Sequence, residues 1–326
     1  MATYSFQTIT PAQAGAYAGA ADSLSFGAGE ASQVTVAFLT GPEMAAVSFQ
    51  GRTMNFSPGV YGDLDLRFDN GGMVFVGGTG ADNATGSAAG DAMFGGADAD
   101  TLNGGAGANV IQGNQGEDSL VGGTGNDTIY GGQDNDTIVL GTGSAESNFA
   151  NGNKGDDTIT ASNGADTVLG GQGNDLITGG NGGQFLNGNL GNDTITGGAG
   201  ADTISGEGGR DLLRGGDGAD VFVFATGSSD MDGVTADRIL DWTAADHISL
   251  NVKGGYSESR TVAHDFLTAE LEGHNTMMPD PTQHILAVQW NSDVVVFADT
   301  DNDTMPDIAI VLVGVTLNAL DAGNFI

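Results

Sequence analysis

Residues 122–130 read GGTGNDTIY, residues 170–178 read GGQGNDLIT, and residues 197–205 read GGAGADTIS. Each nine-residue segment begins with glycines and has an aspartate at its sixth position and an aliphatic residue at its eighth. Seven such units run from residue 77 to residue 139, and eight run from residue 152 to residue 223. Tandem repetition at a short fixed period predicts a solenoid, because one unit can bury its apolar residue only against its neighbours.

The first six positions of the unit predict a tight turn with metal-binding capacity. Glycine adopts positive φ and allows close backbone approach with little steric hindrance. Calcium binds about six to eight oxygen atoms, which carboxylates and backbone carbonyls both supply. One turn provides only part of such a set, so two stacked turns are needed for each ion.

The sixth position is an aspartate in thirteen of the fifteen units. This fixed position favours a role as metal ligands over a solvated acidic surface or a disordered acidic tail. Glycine entropy and mutual repulsion oppose folding without metal, so we expect calcium to supply folding free energy. The predicted ligands in the repeats are Asp82, Asp91, Asp100, Asp118, Asp127, Asp136, Asp157, Asp166, Asp175, Asp193, Asp202, Asp211 and Asp220.

Positions seven to nine predict a very short strand, in which the middle side chain points to the opposite face from the side chains of its two neighbours. Two units then make one coil, and two sheets face each other across a thin apolar row. The residues of this predicted core are Leu102, Ile111, Leu120, Ile129, Ile138, Ile159, Val168, Ile177, Leu186, Ile195, Ile204 and Leu213.

The repeat resembles that of the RTX (repeats-in-toxin) calcium-binding proteins. The resemblance implies an all-β fold, a right-handed parallel β-roll with several calcium ions between stacked turns. It also implies export by type I secretion, which reads an uncleaved C-terminal end. Residues 321–326, DAGNFI, resemble the acidic-then-apolar terminus of that family, and residues 1–20 have neither the basic start nor the apolar core of a secretory signal peptide.

Charge and composition exclude several classes of partner. The formal net charge is −34, so nucleic acid is not expected, because phosphate recognition needs a basic surface. No run of about eighteen apolar residues occurs, so no membrane span is expected. The chain has no cysteine, so in an exported protein the metal rather than a disulfide is the expected stabiliser.

The segments on either side of the repeats differ from them in composition. Residues 1–76 predict a β-rich cap, anchor or assembly domain, with a short helix at 11–21 and with strands at 34–38, 47–49, 53–56, 64–68 and 73–76. Residues 77–223 form the predicted β-roll, interrupted by a divergent insertion at 140–151. Residues 224–326 predict a β-rich C-terminal cap, with last rungs at 237–242 and 246–250, a helix at 263–278 and strands at 285–290, 294–297 and 308–313.

A further acidic segment lies in the C-terminal cap. Residues 299–307 read DTDNDTMPD, and Asp299, Asp301, Asp303 and Asp307 have a spacing similar to that of an EF-hand loop. The usual glycine and closing glutamate of such a loop are missing. A calcium site and an acidic hairpin turn both remain open at this segment.

Alternate units stack on the same side of the roll, and the two resulting rows differ. In the odd row every unit keeps its aspartate, whereas the even row contains Asn109, Gln184, the degraded segment 86–91 and the insertion. We expect a continuous calcium column on the odd side and a protein contact on the even side, although neutral drift in redundant repeats is an alternative. The apolar residues expected on the outside of the even sheet are Phe94, Val110, Tyr130, Leu169 and Phe185.

No catalytic signature accompanies the repeats. The four histidines lack zinc-protease spacing, and no Gly-x-Ser-x-Gly motif or cysteine nucleophile is present. We therefore expect a non-enzymatic, secreted calcium-binding structural protein that assembles with its own copies into a surface layer, filament or matrix. The alternative is a monomeric adhesin that binds a cell-surface glycan, and a polysaccharide-modifying RTX enzyme is a third candidate.

Overall fold

A computed structural model of the chain describes residues 3–5, 13, 23–26, 33–39, 44–49, 52–56, 66–143, 145–225, 236–250, 255–263, 283–299 and 306–326. These residues belong to two compact units, residues 1–163 and residues 164–326. Regular structure in the described residues is almost entirely β-strand. None of the described residues belongs to a helix long and apolar enough to span a membrane.

The first unit contains sixteen described strands. They are β1 (Thr3–Ser5), β2 (Ser23–Phe26), β3 (Thr35–Leu39), β4 (Met44–Phe49), β5 (Arg52–Phe56), β6 (Leu66–Phe68), β7 (Met73–Val76), β8 (Asn83–Thr85), β9 (Ala92–Gly96), β10 (Thr101–Asn103), β11 (Val110–Gln115), β12 (Ser119–Val121), β13 (Thr128–Gln133), β14 (Thr137–Val139), β15 (Phe149–Lys154) and β16 (Thr158–Thr160).

The second unit contains thirteen described strands. They are β17 (Thr167–Gln172), β18 (Leu176–Thr178), β19 (Phe185–Leu190), β20 (Thr194–Ala199), β21 (Thr203–Gly208), β22 (Leu212–Asp217), β23 (Val221–Phe224), β24 (Asp237–Ile239), β25 (His247–Leu250), β26 (Gly255–Ala263), β27 (Gln283–Trp290), β28 (Asp293–Ala298) and β29 (Ile308–Leu312). Two short 3₁₀ helices follow, at Leu317–Ala319 and Ala322–Asn324.

In the first unit the repeats form a parallel β-solenoid. Strands β7, β9, β11, β13 and β15 pair in parallel along one side, and β8, β10, β12, β14 and β16 pair in parallel along the other. The register places Ile111 beside Ile129 and Leu120 beside Ile138, so each coil contains two nonapeptides. The prediction of an all-β parallel roll is confirmed.

The second unit has the same arrangement followed by a different sheet extension. Strands β17, β19, β21, β23 and β25 pair in parallel on one side, and β18, β20, β22 and β24 pair in parallel on the other. Strand β24 then pairs in parallel with β29, which continues into the antiparallel pairs β29–β28 and β28–β27. The predicted last rungs at 237–242 and 246–250 are therefore real continuations of the two sides.

The predicted apolar row forms the core of both units. Its twelve residues, from Leu102 to Leu213, all have 0% exposure. Their strands show the expected alternation, as in β14, where Ile138 is buried and Thr137 is exposed. Each such burial stabilises the fold by about 1.5–3 kcal/mol relative to exposure. Because the row is one residue wide, we expect the turns to contribute to the stability of the coils as well.

The flanking predictions are largely confirmed where the structure describes them. Strands β3, β4 and β5 cover the strands expected at 34–38, 47–49 and 53–56, and they pair antiparallel with one another. Strands β27, β28 and β29 cover those expected between 285 and 313. Of the helix predicted at 11–21 only residue 13 is described, and of the helix predicted at 263–278 only Ala263, which ends β26; the other residues of both lie outside the described part.

Candidate metal centre

Most turns of the solenoid reverse the chain through two backbone positions of positive φ. In the turn before β13 these are Gly123, with φ of 105°, and Gly125, with φ of 123°. The same positions are occupied elsewhere by Asn114 (φ 82°) and Asp134 (φ 73°). Asparagine and aspartate tolerate this region better than other side chains, so the turn geometry is kept where glycine is replaced.

One oxygen of each repeat aspartate connects successive coils. The backbone N–H of Asp100 donates to Oδ1 of Asp118 at 2.8 Å, and the N–H of Asp118 donates to Oδ1 of Asp136 at 2.9 Å. The N–H of Asp136 in turn donates to Oδ1 of Asp157 at 2.7 Å. These carboxylates are buried, so the bonds form a continuous ladder inside the turns.

The second oxygen of many of these carboxylates is buried without a donor. A buried polar atom that lacks a hydrogen bond carries a desolvation penalty of about 1–3 kcal/mol, and more when it is charged. Such atoms in native proteins call for a physical explanation, including an ion. Among the described residues, the buried Oδ2 atoms without a hydrogen-bond partner include those of Asp100, Asp118, Asp127, Asp136, Asp202, Asp211 and Asp220.

A carbonyl oxygen from the next coil converges on the same space as this Oδ2. The position that a Cβ atom would take at Gly122 marks this space. It lies 2.5 Å from Oδ2 of Asp127 and 2.8 Å from the carbonyl oxygen of Leu140. The arrangement recurs at Gly113, in the odd row. Two acceptor oxygens that face one small space without a hydrogen between them repel each other. A hard cation with oxygen ligands fits this arrangement, and calcium is such a cation.

Burial shifts the protonation of the carboxylates when no cation is present. Desolvation raises the pKa of Asp100 to about 6, that of Asp118 to about 7 and that of Asp136 to about 8, and neighbouring carboxylates such as Asp134 contribute to these increases. Burial likewise raises the pKa of Asp220. Burial raises the pKa to about 6 for Asp127, Asp202 and Asp211.

No point in the described part of the chain is surrounded by three or more acidic, histidine or cysteine side chains. A cation in these turns would therefore depend on backbone carbonyls for much of its coordination. This agrees with the alternation of one carboxylate and several glycine peptide groups in each turn. It also explains why the glycines are as regular as the aspartates.

Asp91 and Asp82 have different environments from the other predicted ligands. Oδ1 of Asp91 accepts from the N–H of Met73 at 2.7 Å and from the hydroxyl of Ser87 at 2.9 Å, and its Oδ2 accepts from the N–H of Ser87 at 2.6 Å. Oδ2 of Asp82 accepts from the N–H of Gly78 at 2.8 Å. Protein donors thus satisfy these first carboxylates, and their role as metal ligands stays a prediction.

The acidic segment 299–307 connects two antiparallel strands. Asp299 is buried just after β28, and the N–H of Asp307 donates to the carbonyl oxygen of Ala298 at 2.7 Å, which closes a hairpin before β29. Asp301 and Asp303 lie outside the described residues. The hairpin is therefore established, and a calcium site at this segment stays a prediction.

The two ladders extend further than the nonapeptide count indicates. The N–H of Asp211 donates to Oδ1 of Asp237 at 2.8 Å, and the N–H of Asp220 donates to Oδ1 of Asp246 at 3.1 Å. Neither of these residues was predicted as a ligand. The available signal was an aspartate directly before a short apolar strand, as in the repeats, but without the glycines that precede it there.

The prediction of an exposed even face is wrong for one of its residues. Phe94 is 1% exposed, and strand β3 lies near its strand β9. Phe185 is 42% exposed, as predicted. Val110, Tyr130 and Leu169 are half-buried.

The sequence and structure were compared with those of known proteins. Segments of the chain that together cover residues 76–229 match the RTX calcium-binding nonapeptide repeat: 76–111, 112–145, 142–177, 178–213, 187–222 and 200–229. No curated protein matches the chain significantly.

Similar solved structures include repeat modules and an enzyme. The AlgE6R3 and AlgE6R2 subunits of the mannuronan C5-epimerase from Azotobacter vinelandii are 24% and 23% identical, each with a TM-score of 0.35. Both matches cover 48% of this chain, and they cover 80% and 90% of the respective subunits. The extracellular lipase LipA from Serratia marcescens is 16% identical with a TM-score of 0.28, over 84% of this chain and 44% of the lipase. Residues 76–229 of this chain therefore contain RTX calcium-binding nonapeptide repeats, which form a parallel solenoid with buried aspartate ladders.

Proposed function

We propose that the chain is a secreted calcium-binding structural protein, which folds when calcium fills its turns outside the cell and then assembles with its own copies. The assembled form would be a surface layer, an extracellular filament or a matrix. The observation that carries the proposal is the series of buried carboxylates whose second oxygen has no donor. These groups oppose folding until a cation is present, so the fold can respond to the calcium concentration.

The odd turns of the first unit illustrate which groups would hold the ion. Oδ2 of Asp100, Asp118 and Asp136 faces the same space as the carbonyl oxygen of Gly113, Gly131 and Gly152, respectively. Bound calcium would neutralise these oxygens. The Oδ1 ladder holds the carboxylates in this orientation in the folded chain, which supports the proposed coordination.

The position of the carboxylates supports a structural rather than a catalytic role. The repeat aspartates from Asp91 to Asp220 are all at most 2% exposed. Acid–base or glycosidase chemistry needs carboxyl groups that reach a substrate in a cleft. We therefore assign no enzymatic activity to the repeat region in this proposal.

Exposed apolar side chains in the second unit support the proposed self-association. Phe185 and Leu190 are 42% and 58% exposed, and both lie on β19. Leu176, on β18, is 46% exposed. Large exposed apolar groups are typical of contacts when they are contiguous, and a second copy of the chain is the proposed partner.

A monomeric adhesin is the second candidate. The half-buried rings of Tyr130 and Phe149 lie 5.7 Å apart on the adjacent strands β13 and β15. Aromatic side chains with neighbouring amides, such as Asn151 on β15, are common in carbohydrate-binding surfaces. A cell-surface glycan is the ligand for this candidate.

Calcium titration of the full chain tests the proposal. The purified chain is dialysed against chelator and titrated with calcium, while circular dichroism measures β-structure and light scattering after size separation measures mass. We expect β-structure and large ordered assemblies to appear together with calcium and to disappear with chelator; magnesium serves as the control cation. A compact calcium-bound monomer would favour the adhesin, and β-structure that is indifferent to calcium would overturn the proposal.

A further inference from the structure

Side-chain amides replace the aspartate in three turns of the even row, at Asn109, Asn148 and Gln184. The amide oxygen makes the same ladder bond as an aspartate Oδ1. The N–H of Asp91 donates to Oδ1 of Asn109 at 2.9 Å, and the N–H of Asp166 donates to Oε1 of Gln184 at 3.0 Å. With the oxygen so used, the amide nitrogen must face the interior of the turn.

At Asn109 this nitrogen lies where the aspartate turns have an oxygen without a donor. Nδ2 of Asn109 donates to the carbonyl oxygen of Gly107 at 3.1 Å and to that of Gly122 at 3.2 Å. A side-chain carbon added at Gly104 would lie 2.5 Å from both this Nδ2 and the carbonyl oxygen of Gly122. In the next turn of the same row, the equivalent point above Gly122 lies between a carboxylate oxygen and a carbonyl oxygen. The amide N–H groups thus occupy the space that would otherwise separate two acceptors.

Gln184, with its longer side chain, also donates an amide N–H to a backbone carbonyl oxygen of its row. Its Nε2 donates to the carbonyl oxygen of Gly164 at 2.7 Å, in the preceding turn of the same row. Both amides are buried, with exposures of 1% for Asn109 and 2% for Gln184. In the third turn, Nδ2 of Asn148 donates to the hydroxyl of Ser162 at 3.2 Å rather than to a carbonyl.

A cation and an amide N–H group exclude each other at this place. A bound ion would meet the partial positive charge of the amide hydrogens, and the carbonyl oxygens would have to give up their hydrogen bonds. The amide also removes the carboxylate charge, which is the main electrostatic attraction for calcium. A neutral hydrogen bond satisfies the same carbonyl oxygens without metal, and each such bond contributes a modest net stabilisation.

We infer that Asn109 and Gln184 create cation-free turns, in which the side-chain amide takes the place of calcium between two coils. The even row therefore binds calcium only at turns that keep the aspartate, such as those of Asp127, Asp202 and Asp220, and its coils are joined without metal at Asn109 and Gln184. The inference rests on the proposed calcium binding of the aspartate turns. It predicts fewer bound ions than the number of stacked turns.

The exchange Asn109→Asp in the full chain tests the inference directly, because the two side chains have nearly the same shape. Calcium stoichiometry is measured by titration calorimetry and by atomic absorption after dialysis. We expect N109D to bind one more calcium ion per chain than the unchanged protein, to be less stable in chelator and to recover in calcium. An unchanged stoichiometry, or a variant that does not fold even in saturating calcium, would overturn the inference.

Asn109→Ala is the matched variant that lacks both the carboxylate and the amide. It should gain no calcium and should be less stable than the unchanged protein with and without calcium. Stability equal to that of the unchanged protein in chelator would contradict a role of the amide in place of the ion. Calcium found by anomalous diffraction beside Asn109 in the unchanged protein would do the same.

The measurements separate this inference from the proposed function. If the unchanged chain binds no calcium, the proposed function fails. If the unchanged chain binds calcium and N109D gains none, only the assignment of cation-free turns fails.

Discussion

The odd and even turns of the solenoid use the same backbone ladder but differ in electrostatics. In the odd turns carboxylate follows carboxylate, and the pKa of Asp136 rises to about 8 through burial and through its neighbours Asp157 and Asp118. In the even row burial raises the pKa of Asp127 to about 6, and its neighbour Asn109 is neutral and adds no repulsion. Burial also raises the pKa of Asp100 and Asp211, in the odd row, to about 6, so the contrast is between the turns of Asp136 and Asp127. An uncharged amide can therefore take part in the hydrogen-bond ladder. Where the ladder residue is an aspartate, its buried charge makes the turn dependent on a bound cation.

The insertion changes the spacing of the turns without interrupting the ladder. The N–H of Asp127 donates to Oδ1 of Asn148 at 2.8 Å across 21 residues, whereas the regular spacing is 18 residues. Glu146, in the enlarged turn, accepts from the N–H of Gly125 at 3.0 Å. A longer loop is therefore tolerated as long as one side-chain oxygen receives the backbone donor of the previous coil.

The largest expected effect is that of pH on the calcium-free chain, because it acts on all buried aspartates at once. Their pKa values are raised in the folded state, to about 6–8 for Asp100, Asp118 and Asp136, above about 3.9 in the unfolded chain. A raised folded-state pKa favours the fold at low pH and disfavours it as pH rises through that range. We expect β-structure in chelator to increase as pH is lowered from about 8 to about 4, measured by circular dichroism.

Calcium affinity should show the opposite dependence on pH. The carboxylates must lose their protons before they bind the ion, so affinity should fall as pH is lowered over the same range. Carboxyl signals in nuclear magnetic resonance spectra should show Asp136 titrating at higher pH than Asp127. Equal titration of the two would remove the electrostatic difference between these two turns.

A core exchange should affect both rows equally. Ile138→Ala in the odd row and Ile129→Ala in the even row should each lower the free energy of unfolding by about 2–5 kcal/mol. Both side chains have 0% exposure. Denaturant unfolding in saturating calcium measures the effect, with Thr137→Ala at an exposed position as the control. A large difference between the two exchanges would mean that the rows differ in their cores and not only in their turns.

Two substitutions of the same odd-row aspartate should distinguish the contribution of the Oδ1 hydrogen bond from that of the bound calcium ion. Asp118→Ala removes the acceptor for the N–H of Asp100 and the ligand oxygen, so we expect loss of bound calcium and about 1–3 kcal/mol of stability. Asp118→Asn keeps the ladder acceptor and introduces an amide as at Asn109. It should lose calcium but retain more stability in chelator than Asp118→Ala, as measured by stoichiometry and thermal unfolding. Equal stability of the two variants would argue against amide substitution for the ion.

The smallest effect on stability should come from the surface of the second unit. Phe185→Ser together with Leu190→Ser should change the free energy of unfolding by less than about 0.5 kcal/mol per exchange, because both side chains are largely exposed. Calcium-dependent assembly should nevertheless decrease, as measured by light scattering. Thr167→Ser, on the neighbouring strand β17, is the control. Assembly that is unaffected would place the contact between copies elsewhere.

The nonapeptide period was sufficient to predict the parallel coils, the buried row and the stacked rows of aspartates, because a repeat of fixed length places equivalent residues above one another. The hydrogen bonds from each backbone N–H to the next aspartate were not predicted. It also distinguished the two rows, and the replaced residues Asn109 and Gln184 were visible in it. The sequence did not show what these two residues do. It shows that an amide replaces the aspartate, but it does not show which hydrogen bonds that amide makes.

Sequence alone thus determined the local geometry that every unit repeats. Tertiary structure decided the contacts between residues far apart in the chain. It buried Phe94, satisfied Asp91 through Met73 and Ser87, and extended the ladders to Asp237 and Asp246. The physical reason is that the type of a side chain determines which hydrogen bonds and contacts it can make. The packing of distant segments determines which partners it has and how far it is exposed to water.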